Sequence, residues 1–292
     1  MTERVAIIGG GKIGEALLAG LISAGKPVKD LVVAERSPER SAELVADYGV
    51  RVSDDIPDAV EGARVVFIAV KPDAVDMVLQ KLSVAEDNGE LERITVTLVA
   101  GIPTPRYEAA LPAGSPVIRV MPNTPMLVNE AMSAVSPGRY AEDDQVALTV
   151  RLLESVGKVM VVPEKLMDAV TAISGSGPAY FFLMVEAMID AGVALGLTRP
   201  QASELAVQTI KGAGLLLSES GLSPVELRAA VTSPAGTTAA ALRAFEREGL
   251  RHAVNEATLA CAETSAKTAR RVEVEGSGGG VQLGAETASE QQ

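Results

Sequence analysis

Val5-Ala6-Ile7-Ile8-Gly9-Gly10-Gly11-Lys12-Ile13-Gly14 decides the fold. Four apolar residues in a row read as a strand buried on both faces, and the glycines behind them fit the turn GxGxxG. In that turn the first glycine permits a tight bend, the second lets a pyrophosphate reach the backbone, and the third lets helix pack closely on strand. Gly9, Gly11 and Gly14 take these three places. A helix is predicted next, because Ile13, Leu17, Leu21 and Ile22 recur at helical spacing before Gly25 and Pro27 close the run. Unpaired N–H groups at its start, around Lys12 and Ile13, would attract a phosphate. The alternative is a turn whose glycines serve packing alone.

Working outward, Leu31-Val32-Val33-Ala34 reads as a second buried strand that ends at Glu35. That acid lies about twenty residues beyond the glycines, where a carboxylate would bind the ribose hydroxyls of NAD. Arg36, Ser37 and Arg40 follow at once and are the residue types that a 2′-phosphate of NADP would need. The two readings conflict. Ser37-Pro38-Glu39 is also an ordinary helix start with a cap, a proline and an early acid.

Further strands are predicted at 65–70, 94–99 and 117–121, with a short extended piece at 50–52. Helices lie between them, one of them capped by Asp73 and one opened by Thr104-Pro105; the polar stretch 83–93 reads as a solvated loop. Strands alternating with helices imply an α/β fold, a doubly wound parallel sheet with its ligand at the carboxyl ends of the strands. Gly11, Ala69-Val70-Lys71-Pro72, Ala100-Gly101 and Pro122-Asn123-Thr124 all fall at such ends and are candidate cofactor contacts.

Strand patterns stop at Pro163, so 1–162 is read as the dinucleotide-binding domain and 163–271 as a helical domain. Residues 179–195 are apolar nearly all round a helix, which predicts burial on most faces. A domain of about a hundred residues cannot cover such a helix alone, and a partner subunit is the simplest source of cover; packing against the sheet domain is the alternative. Thr198-Arg199-Pro200-Gln201 and Ser223-Pro224-Val225-Glu226 read as capping boxes, and 272–292 as a disordered tail. Two hydroxyl-rich stretches before helices, Ser174-Gly175-Ser176-Gly177-Pro178 and Val231-Thr232-Ser233-Pro234-Ala235-Gly236-Thr237-Thr238, read either as N–H nests for a carboxylate or as plain interhelical turns.

Composition narrows the function. The 292 residues carry a net charge of −12, which argues against sequence-independent nucleic-acid binding. Cys261 is the single cysteine and His252 the single histidine, so neither an intramolecular disulfide nor a zinc cluster is available. A reducing, cytoplasmic compartment is expected, with no signal peptide ahead of a strand that starts at Val5. The apolar run 179–197 contains Glu186 and Asp190 and reads as a buried helix, not a membrane span.

LRAAVTSPAGTTAAALRAFE at 227–246 resembles the signature stretch of pyrroline-5-carboxylate reductases, the enzymes that complete proline synthesis. The resemblance extends through Gly9 to Gly14, Ala69 to Pro72, Met121 to Pro125 and DAVTAISGSGPAYFF at 168–182, in the same order and spacing. It implies a Rossmann domain followed by an all-α dimerisation domain, a homodimer or assembly of dimers, and reduction of 1-pyrroline-5-carboxylate to L-proline by NADPH, with NADH possible. It also implies that Ser233 and the backbone N–H groups of Gly236, Thr237 and Thr238 hold the substrate carboxylate, with the Thr238 hydroxyl near the ring nitrogen and acting in catalysis. Glu35 departs from the pattern of members that prefer NADPH. A protonated imine is already electrophilic, so no metal and no nucleophile are needed, only correct placement against the nicotinamide. A related imine or β-hydroxyacid reductase and a dinucleotide-binding protein without turnover are the competing readings.

Overall fold

The computed structural model describes residues 3–85 and 93–277, excepting the side chains of 269–277. The chain divides into two compact units, 1–168 with 263–292, and 169–262. Most of the loop predicted at 83–93, and 278–292 of the expected tail, lie outside the described residues. Residues 272–277 continue a long helix, so the tail expected from 272 does not begin there.

In the first unit β1 (Val5–Ile8), β2 (Leu31–Ala34), β3 (Arg51–Ser53), β4 (Val65–Ile68), β5 (Ile94–Thr97), β6 (Val117–Met121), β7 (Ala131–Pro137) and β8 (Gly157–Val161) form one sheet in the order β3-β2-β1-β4-β5-β6-β7-β8. The first six strands are parallel. β1, β2, β4 and β5 are buried along their whole length, because helices cover both faces. One apolar layer joins α1 (Lys12–Ser23) and α6 (Asp143–Leu153) to one face through Leu17, Leu21, Leu148 and Leu152. The other joins α3 (Ile56–Val60), α4 (Val75–Ser83) and α5 (Thr104–Glu108) to the opposite face through Ile56, Val78, Leu79 and Tyr107. Burial pushes the Tyr107 phenol up to about 12, and its oxygen accepts a 2.6 Å hydrogen bond from Thr97.

The sheet is not wholly parallel as expected: β7 runs antiparallel to β6, and α6 then carries the chain into β8. β7 ends at Pro137 and β8 opens at Gly157, and each run is too short to show a period. Asp73 is not a helix cap either. It lies in a 3₁₀ turn, Pro72–Ala74, and α4 starts behind it without a side-chain cap. At α2 (Pro38–Tyr48) the expected start holds, with Ser37 accepting from the N–H of Arg40.

The second unit is helical. It contains the end of α7 (Met167–Val170), a π turn (Thr171–Gly175), α8 (Gly177–Ala194), α9 (Arg199–Glu219), α10 (Pro224–Ala230), α11 (Thr237–Arg247) and the first part of α12 (Leu250–Ser277). Both predicted capping boxes form, at Thr198 and at Ser223. Small residues bring α8 and α9 together: a β-carbon on Gly192 would stand 3.0 Å from Cβ of Ala202, which with Ala206 is buried. The burial expected for 179–195 does not occur within one chain. Phe181, Phe182 and Leu183 are 61%, 68% and 66% exposed, and Gly177 is the single buried residue of α8 among those described. A helix apolar on all sides has more surface than the helices of its own unit cover.

Candidate active site

In the first unit the sequence-predicted cofactor residues converge at the carboxyl ends of parallel strands, where β1 sits between β2 and β4 and the strand order reverses direction. Gly9 adopts φ +105°, and a β-carbon there would stand 2.5 Å from the carbonyl oxygen of Ala69. Ala69 in turn donates its N–H to Ile8 at 2.8 Å, so the β4 end with Ala69, Val70, Lys71 and Pro72 lies directly alongside the turn. Gly14 packs against Gly9. Gly11 is different, since a β-carbon there would meet nothing within 4 Å. It is the N-cap of α1 and has no side-chain cap bond; the first helical bond runs from Glu15 N–H to Gly11 C=O. The N–H groups of Lys12, Ile13 and Gly14 therefore point out of the helix start without helical partners. Space at Gly11 and an uncapped helix start fit a pyrophosphate.

Around the β2 end the structure redistributes the expected roles. Glu35 accepts N–H bonds from Gly10 at 2.9 Å, Arg36 at 2.8 Å and Ser37 at 2.9 Å. Arg40 donates Nε to the carbonyl of Gly10 at 2.8 Å, pairs Nη1 with Glu43 at 2.7 Å and also pairs with Glu15. Ser37 spends its hydroxyl on Glu39 at 2.8 Å and caps α2. Arg40 and Ser37 thus already have partners within the chain, where the sequence reading offers both as donors to a 2′-phosphate. Arg36 is exposed, and its guanidinium has no ion pair among the described residues. The triple glycine was the signal for what was missed, because Gly10 is buried and has no room for a side chain beside Leu44.

Ala100 is exposed, whereas Gly101 is buried with φ +76° and leaves room for Thr268 of α12. Asn123 accepts the N–H of Met132 at 2.9 Å, which ties the end of β6 to the start of β7.

In the second unit, Ser233-Pro234-Ala235-Gly236 is a tight turn closed by the Gly236 N–H bonding to the Ser233 carbonyl at 3.1 Å. Gly236 is thereby not a free donor, contrary to the expectation for its N–H. It is the N-cap of α11, without a side-chain cap, and the first helical bond is from Ala240 N–H to Gly236 C=O. The open donors are therefore Thr237, Thr238 and Ala239, the last of which sequence reasoning missed by one residue. Ser233 is exposed and Thr238 half-buried, and neither hydroxyl bonds to a described residue. Ala235 has φ +56°, a conformation that costs an L-residue about 1–2 kcal/mol. Such a turn places a residue with positive φ third, where glycine is usual. The stretch 231–238 contains no ionisable side chain, so the donors it offers are N–H and O–H groups alone.

The other hydroxyl-rich stretch is satisfied internally. Ser174 donates to the Val170 carbonyl at 3.1 Å, Cys261 lies 3.3 Å from Ser176, and Tyr180, its phenol pushed up by burial, donates to Ala172 at 3.0 Å. His252 is exposed on α12, 4.0 Å from Glu256.

Comparison with known proteins agrees in both halves of the chain. Residues 4–100 match the family model described as NADP oxidoreductase coenzyme F420-dependent, and 164–268 match that of pyrroline-5-carboxylate reductase dimerisation. The chain is 49% identical over 282 residues to a curated pyrroline-5-carboxylate reductase of Mycobacterium tuberculosis, covering 90% of this chain and 95% of that one. Among solved structures, a pyrroline-5-carboxylate reductase of Coxiella burnetii superposes with TM-score 0.87 at 33% identity, over 92% of this chain and 99% of that one. A Plasmodium falciparum pyrroline carboxylate reductase with NADP bound gives 0.80 at 27% identity, over 91% and 98%.

Proposed function

The chain belongs to the pyrroline-5-carboxylate reductase family, and from that premise we propose how its own residues divide the work. It is an NAD(P)H-dependent oxidoreductase that reduces 1-pyrroline-5-carboxylate to proline. NADP suits the first unit, whose N-terminal part matches an NADP oxidoreductase model. When bound, the dinucleotide supplies the hydride that adds to the imine carbon, and a proton balances the product amine. Gly11 leaves space for the pyrophosphate, with N–H donors from Lys12, Ile13 and Gly14. Arg36 is the residue for the 2′-phosphate, and Ala69, Val70, Lys71, Pro72, Ala100, Gly101 and Asn123 shape the crevice at the strand ends.

The open N–H groups of Thr237, Thr238 and Ala239 carry the substrate proposal, because a helix start with no cap of its own seats a carboxylate. Ser233 adds a hydroxyl to that seat. Fixing the carboxylate orients the ring, and Thr238 then donates to its nitrogen. An iminium nitrogen has no lone pair; one forms as hydride arrives, so this hydrogen bond strengthens along the reaction and lowers the barrier.

The dimerisation match and the exposed apolar surface of α8 support an oligomer, which we take to be a homodimer or an assembly of dimers built on 163–271. The run Glu164–Ala194 is long and apolar enough to cross a membrane by length and composition. Glu186 and Asp190 within it, and a dimerisation match over the same residues, favour a protein interface instead. A cytoplasmic enzyme that binds neither membrane nor nucleic acid is the reading that the charge and the lone cysteine support. The test is NADPH oxidation that depends on 1-pyrroline-5-carboxylate and yields an equal amount of proline. Dinucleotide binding without turnover would leave only the binding-protein reading.

A further inference from the structure

The backbone of Gly10 is held on both of its peptide groups by residues that stand 25 and 30 positions away in sequence: Glu35 accepts its N–H at 2.9 Å, and Arg40 donates Nε to its carbonyl at 2.8 Å. We infer that Glu35 and Arg40 are positioning residues, which clamp the two peptide groups that meet at Gly10 and so hold the pyrophosphate turn in its binding shape. The inference rests on the assignment of that turn to the dinucleotide.

Gly10 is buried between two glycines that have their own constraints, and neither its N–H nor its C=O belongs to the sheet or to α1. Without the clamp both groups would be left unpaired in a buried position, and the turn would rearrange to reach water. Each clamp arm is itself held. Glu35 accepts two further N–H groups at the head of α2. Arg40 is braced by Glu43 and by Glu15, and Glu15 also receives the Tyr48 hydroxyl at 3.1 Å. Glu15 lies on α1, one turn beyond Gly11, so the network ties β2 and α2 to the helix whose start binds phosphate. A turn held in its bound shape spends none of the cofactor's binding energy on ordering. Contacts to Gly10 affect the pyrophosphate, which NADPH and NADH share, and not the 2′-phosphate, which separates them.

The experiment uses the full chain, titrated with NADPH and with NADH, alongside Arg40→Met and Glu15→Gln. Arg40→Met is expected to weaken both cofactors by about tenfold, in line with loss of a charged hydrogen bond, and to keep their ratio within about twofold. Glu15→Gln removes one brace and keeps every residue of the clamp, so it stays informative if Arg40→Met fails to fold. It is expected to weaken both cofactors by a smaller, equal factor. A loss confined to NADPH, a gain in NADPH affinity when Glu15 releases Arg40, or a lowered melting temperature with both affinities unchanged would each overturn the inference. A wild-type chain that binds neither dinucleotide would instead overturn the cofactor assignment, and the clamp's role with it.

Discussion

A β-carbon does not fit at Gly14, because it would overlap the carbonyl oxygen of Gly9. That contact brings α1 down onto β1, whereas the neighbouring Gly11 faces open space. The two glycines of one motif therefore predict different losses. Gly14→Ala should destabilise the first unit by about 1–3 kcal/mol or more, as other overpacked sites do. Gly11→Ala should cost about 1 kcal/mol or less as an N-cap change, yet place a methyl group where the pyrophosphate must lie. Melting temperature and NADPH affinity, measured on both variants, separate the effects. Intact affinity in Gly11→Ala would remove the pyrophosphate from this turn.

Arg36 is the cation near the β2 end that the described residues leave without an ion pair. Arg36→Ala should weaken NADPH by about ten- to a hundredfold and leave NADH within about twofold, since a guanidinium on a phosphate contributes about 1.5–3 kcal/mol. Equal losses for the two cofactors would place Arg36 away from the 2′-phosphate.

How much of this was legible follows from the range over which each signal acts. The βα turn at Gly9 to Gly14 and the strands of 65–68 and 94–97 are local patterns, and sequence alone placed them. β7 and β8 were not found, because short runs around Pro137 and Gly157 show no period and their pairing is decided by β6. The internal partners of Glu35 and Arg40 could not be read from sequence for a related reason. Residue type restricts a carboxylate or a guanidinium to a class of partners, but a bond to the backbone of Gly10 depends on two segments meeting in three dimensions. At 233–238 the resemblance located the loop, while the closing bond of its turn shifted the open donors by one residue, from 236–238 to 237–239.

Phe182 is 68% exposed in the single chain, so a charge there costs the chain's own fold little. If a second copy covers it, Phe182→Glu buries an unpaired carboxylate at the interface and should dissociate the assembly. Sedimentation at micromolar concentration is expected to give an oligomer for the wild type and a folded monomer for the variant. An oligomer from Phe182→Glu as stable as the wild type would move the interface away from this part of α8.

Ala235 holds φ +56° in the turn before α11. Glycine there removes about 1–2 kcal/mol of strain and adds about 0.4–1 kcal/mol of unfolded-state entropy. Ala235→Gly should thus raise stability by about 0.5–1 kcal/mol, read by denaturant titration. A clear loss of stability would mean that the methyl group is held by contacts that outweigh the strain.

The central claim is that Thr238 acts on the reacting nitrogen while Ser233 helps to seat the carboxylate, and steady-state kinetics of Thr238→Ala and Ser233→Ala with 1-pyrroline-5-carboxylate test it most directly. A hydrogen bond that forms with the transition state lowers kcat when lost, and one made equally to bound substrate raises KM. Each is a neutral bond of about 0.5–1.5 kcal/mol, so Thr238→Ala should lower kcat by up to about tenfold, and Ser233→Ala should raise KM by a similar factor with kcat kept. Both should bind NADPH as the wild type does. Full turnover in Thr238→Ala would contradict the account and reduce the threonine to part of the helix start.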